Sequence, residues 1–104
     1  MLDKTQLEKL IMERFPGTFD PVGLKELITT IEHAEDVIKG NIEVYLTTGV
    51  EPELEVEGYS YADLRKNHGM TPLAALLTLN YLMKNPEKAK EALNKGHDFV
   101  GTKE

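Results

Sequence analysis

The stretch Met70–Asn85, MTPLAALLTLNYLMKN, limits this chain's folding choices more than any other. Between Leu73 and Met83 only Thr78 and Asn80 interrupt an otherwise apolar run. A helix that is apolar nearly all round has no face to offer water and belongs in a core. Its ends are marked. Thr71 can accept from first-turn N–H groups, and Pro72 has its φ preset for the first helical position. Asn85 stands before Pro86, a position pushed out of helical conformation. The expectation is a central helix at about 72–84.

A chain of 104 residues suffices for one modest core without staples. The expectation is a single compact domain over 1–96 and a flexible C-terminal tail over 97–104. There is no Cys, so disulfides and thiolate metal sites are excluded. The opening MLDKTQLEKLIMERF mixes acids into its apolar positions and reads as an amphipathic helix, not a secretory signal. No apolar run reaches the roughly 18 residues of a membrane span. These features point to a soluble, cytoplasmic protein with no membrane partner.

The net charge of -6 is unevenly spread. From Glu32 to Asp63 there are nine acids and one base, Lys39, whereas Leu64–Glu104 holds seven bases and four acids. Nucleic-acid binding needs a positive surface that displaces counterions from phosphate, so this balance argues against it.

Taken in order, Asp3–Arg14 reads as a first helix. Asp3 with Gln6, or Thr5 with Glu8, forms its capping box, and Leu7, Leu10 and Ile11 form its stripe. Asp20-Pro21 opens a second helix, whose Leu24, Leu27, Ile28, Ile31, Ala34 and Ile38 keep helical spacing up to a stop at Gly40. From Asn41 the period changes. Ile42, Val44 and Leu46 alternate with polar residues, and so do Leu54 and Val56, which predicts a β-hairpin at about 42–57. The competing reading carries helix two on to Thr48. Ser60 with Asp63 caps a short helix to Asn67, and Glu87–Lys95 forms the last helix.

The fold class is therefore α+β, mostly helical: five helices and one small hairpin packed around the central helix. The expected core is Leu10, Leu27, Ile31, Ile38, Val44, Leu64, Leu73, Leu76, Leu77 and Leu79.

Four constellations bear on function. Tyr61–Met83 has the outline of a helix-turn-helix, but its second helix offers Ala and Leu where a DNA reader needs polar side chains. Glu32, Glu35 and Asp36 fall three and four apart, on one face of a continuous helix. Such a carboxylate set binds Mg or Mn when a facing helix adds more acids, here only across a homodimer. Ser60 is the only Ser, no Gly-rich phosphate loop occurs, and His33, His68 and His97 belong to no catalytic motif. These absences weigh against an enzyme.

The fourth constellation is the run Glu51, Glu53, Glu55 and Glu57, at spacing two. On a strand they share one face while Leu54 and Val56 point the other way. Tyr59 and Tyr61 adjoin them, and Tyr is a frequent contact residue at interfaces. The functional expectation is a small acidic interaction module, an adaptor or inhibitor, docking an unidentified basic protein through residues 51–61 without a cofactor. The alternative is a metal-dependent hydrolase or metal-binding regulator using Glu32, Glu35 and Asp36.

Overall fold

A computed structural model describes residues 2–95. The element order is α1 Lys4–Arg14, α2 Pro21–Glu32, α3 Asp36–Thr48, β1 Glu55–Val56, β2 Tyr59–Ser60, α4 Tyr61–Lys66, α5 Pro72–Lys84 and α6 Pro86–Asn94. The chain is thus mostly helical with one two-stranded antiparallel sheet. It divides into two compact units, Met1–Val50 and Glu51–Glu104. The tail expected at 97–104 lies outside the described residues.

In the first unit, Asp3 and Gln6 close the capping box of α1, each side chain accepting from the other's N–H at 2.8 and 3.0 Å. Asp20 Oδ1 accepts from the Gly23 N–H at 2.7 Å and caps α2. Leu7 and Ile11 of α1, Leu24, Leu27, Ile28 and Ile31 of α2, and Ile38, Ile42 and Leu46 of α3 are buried. The far ends of α1 and α3 are tied together. Arg14 Nε donates to the Leu46 carbonyl at 2.9 Å, its guanidinium lies 5.5 Å from the Tyr45 ring centre, and Phe15 stacks on Tyr45. A cation against the last carbonyls of a helix also opposes the negative end of its dipole.

The structure departs from the sequence expectations at three places in this unit. Helix two does not run to Gly40. It ends at Glu32, where the His33 N–H is shared between Thr29 and Thr30 carbonyls and Ala34 N bonds Ile31 O, tightening the last turn. The chain then restarts as α3, which spans both Gly40 and the predicted first strand. Gly40 sits inside the helix with open space where a side chain would be, and the stop is Gly49, at φ +80 in the left-handed region. Finally Val44, expected in the core, is 49% exposed, and Leu10 is only half-buried. Ile38, Ile42 and Leu46 repeat every four residues and define the buried stripe of a helix; Val44 falls between them and faces out.

In the second unit the helix expected at 72–84 is α5, with those bounds. Thr71 caps it by accepting from the Ala74 N–H at 3.2 Å. Every residue from Pro72 to Asn80 is buried, and Leu82 with them. The buried Thr78 hydroxyl is satisfied by the Met70 sulfur at 3.4 Å. The picture of five helices around one central helix is nonetheless replaced. The described residues form six helices, and α5 is the buried helix of the second unit, with α4, α6 and β1 packed on it. α6 contributes Ala89 and Leu93 to its core.

The hairpin is also smaller and later than expected. Glu55 pairs with Ser60 and Val56 with Tyr59, across a turn at Glu57-Gly58. Both turn residues have positive φ, +55 and +83, as a type I′ hairpin turn requires. Ser60 ends β2 and begins α4, its hydroxyl accepting from the Asp63 N–H at 3.0 Å.

Candidate functional site

The segment Glu51–Tyr61 opens the second unit and contains all six residues of the acidic docking reading. It runs without regular structure from Glu51 to Leu54, forms the hairpin, and passes into α4. The four glutamates do not form the uniform ladder that spacing two suggests.

Glu51 is tied inward. Its Oε1 accepts from the Tyr61 hydroxyl at 2.8 Å and from Arg65 Nε at 3.0 Å. Arg65 continues the chain of bonds, donating through Nη1 to the Met70 carbonyl at 2.8 Å. One side chain thus links the start of the unit, α4 and the turn into α5. The Arg65 hydrogen bond, then that from Tyr61, holds the Glu51 carboxyl below its ordinary value of 4.5. Burial, and then the adjacent Glu51 carboxylate, push the Tyr61 hydroxyl well above its ordinary range, so it stays a donor. Tyr61 is only 2% exposed, which leaves its ring no surface for a partner.

A pH dependence follows from this arrangement. A carboxyl whose pKa is depressed by folding contributes stability above its unfolded value, and that contribution is lost as pH falls through the folded value. Glu51→Gln should therefore lower stability at pH 7 and flatten the loss of stability below about pH 4.5. Because the pair is half-exposed, the effect at neutral pH should be about 1 kcal/mol or less. Urea melts of both proteins between pH 7 and 3 measure it; parallel stability curves would show that the Glu51–Arg65 contact contributes nothing.

Glu57 is paired at the surface with Lys90 of α6, whose Nζ lies 2.9 Å from its Oε1. Glu53 and Glu55 differ. Both are exposed, and among the described residues neither has an ion-pair partner within 4.0 Å. Tyr59 is half-buried, with its ring edge-on to His68 at 6.3 Å between centroids. His68 Nε2 is 3.8 Å from Asp63 Oδ2, and Asn67 Nδ2 donates to Asp63 Oδ1.

Arg65 and Lys90 were not among the expected site residues, yet they decide which glutamates remain available. Lys90 lies far from Glu57 in sequence and carries no signal of its pairing. The hairpin turn had one: a Gly between the apolar pairs Leu54/Val56 and Tyr59/Tyr61 marks a two-residue turn.

The carboxylate set Glu32, Glu35 and Asp36 loses its geometric premise. Glu32 is the last residue of α2, Glu35 precedes α3 in extended conformation and Asp36 begins α3, so no single helical face carries all three. Glu32 lies 4.0 Å from Lys4 Nζ. No three His, Cys, Asp or Glu residues gather as a metal-holding group among the described residues.

The helix-turn-helix outline at Tyr61–Met83 exists as α4, a turn and α5, with α5 buried where bases would be read. No described helix is long and apolar enough to cross a membrane. No family model, curated protein or solved structure matches this chain.

Proposed function

We propose that the protein is a small non-enzymatic interaction module, an adaptor or inhibitor, that docks a basic partner protein through residues 51–61. The observation that carries this reading is the unequal fate of four neighbouring glutamates. Glu51 and Glu57 are matched by Arg65 and Lys90, and the hairpin pairing with the Tyr61–Leu54 backbone bond orders the segment. Glu53 and Glu55 between them stay exposed, with no ion-pair partner among the described residues. Two carboxylates on an ordered backbone leave only their own side chains to be ordered when a cation arrives, which lowers the entropic cost of binding.

Charge of this kind acts chiefly on association rate and partner choice. The test is a pull-down from the native host's lysate at low and high salt, with a Glu53→Gln/Glu55→Gln double variant as control. The expected result is a protein recovered at low salt, lost at high salt and lost with the variant. Recovery of the same set by both proteins would reduce the acidic segment to a solvated surface. The double variant leaves the Glu51 and Glu57 contacts in place, so a negative result is not a folding artefact.

A further inference from the structure

We infer that the outer edge of β1 accepts an added strand: an extended segment with Lys or Arg at alternate positions, paired through the main chain of Glu53–Glu55. This rests on the docking reading above and supplies its mode of contact. Val56 and Tyr59 flank a two-residue turn and so form the hydrogen-bonded pair of the hairpin. Two residues on, the Tyr61 N–H donates to the Leu54 carbonyl at 2.8 Å. The main-chain groups of Leu54 and Val56 thus turn toward β2. Those of Glu55, between them, turn away from it, and an added strand would carry the same alternation on to Glu53.

The sheet has two strands, in the order β1-β2, and no backbone bond among the described residues engages Glu53 or Glu55 on that outer side. An open edge is a template for a further strand, and main-chain pairing of this kind supplies affinity while alternate side chains supply specificity. Charge chooses the occupant. A second copy pairing edge to edge would set Glu against Glu, which like charges on facing strands oppose. A strand with cations at every second position sets opposite charges against Glu53 and Glu55 instead.

The experiment titrates the full chain with a synthetic peptide, Thr-Lys-Val-Lys-Val-Lys-Thr, and with the same peptide N-methylated at alternate residues. Amide shifts and hydrogen exchange of residues 53–57 are followed. The expected result is binding of the first peptide, slowed exchange at Glu53 and Glu55, and at least tenfold weaker binding after N-methylation. Glu55→Pro should lose affinity similarly while Val56 stays protected, since Pro is tolerated where the N–H faces out of the ladder. Equal affinity for the two peptides, both weakened by Glu53→Gln/Glu55→Gln, would overturn strand addition and leave electrostatic docking standing. No shift at millimolar peptide would overturn both. Concentration-dependent exchange protection without peptide would make a second copy the occupant and overturn the charge argument.

Discussion

Leu76→Asp should abolish cooperative folding of the second unit. Leu76 is completely buried in α5, a helix with no exposed residue from Pro72 to Asn80. A carboxylate there has no water and no cation, and even in its neutral form it leaves a polar group unpaired in place of a packed side chain. Changes of this class remove about 4–5 kcal/mol or more, against a total of about 5–15 kcal/mol for a whole domain. Far-UV circular dichroism should show reduced helix and no sharp melt from the segment 51–95. Leu76→Met is the control: it conserves volume and should cost less than about 1.5 kcal/mol. A melt of Leu76→Asp that matches wild type would refute the buried position of α5.

The second large effect separates helix from strand in the first unit. Ile42→Ala should destabilise by about 2–5 kcal/mol, because Ile42 is fully buried on α3 and its loss leaves a cavity. Val44→Ala should change stability by no more than about 0.5 kcal/mol, with a tilt toward stabilising, since Val44 is 49% exposed and Ala is the better helix former. On a strand the two residues share one face, and both substitutions would destabilise. Chemical denaturation of the pair is therefore a test of backbone conformation. Equal large losses at both positions would restore the strand.

Over residues 32–48 the sequence pattern and the structure diverge for identifiable reasons. The apolar residues Ile31, Ala34, Ile38 and Ile42 keep spacings of three and four straight through the break at His33–Glu35. Periodicity has no signal there, and no Gly or Pro marks the spot. Downstream, Ile42, Val44 and Leu46 satisfy both periods at once: residues 42, 44 and 46 fit a strand, and residues 38, 42 and 46 fit a helix. Two β-branched residues favour the strand locally, and burial of the four-residue repeat favours the helix. The stop at Gly40 was an error of the same origin. Glycine ends a helix only where the backbone turns left-handed, as at Gly49, and its presence alone does not specify that.

The caps at Asp3, Asp20, Ser60 and Thr71 and the limits of α5 were legible, because each is a contest settled within one turn of chain. Thr71 and Pro72 begin a helix whatever surrounds them, and a segment as apolar as Leu73–Met83 has no exposed alternative. The site was legible only as composition. Spacing two identifies four glutamates that could act together, but their equivalence ends when Arg65 arrives from α4 and Lys90 from α6. Those pairings depend on where helices lie in space, over distances that no local pattern encodes. Local backbone preference and apolar content were fixed by the sequence alone. The tertiary structure decided which of two allowed periods wins at 36–48 and which carboxylates stay uncompensated, because burial and ion pairing are energies of contact between residues remote in the chain.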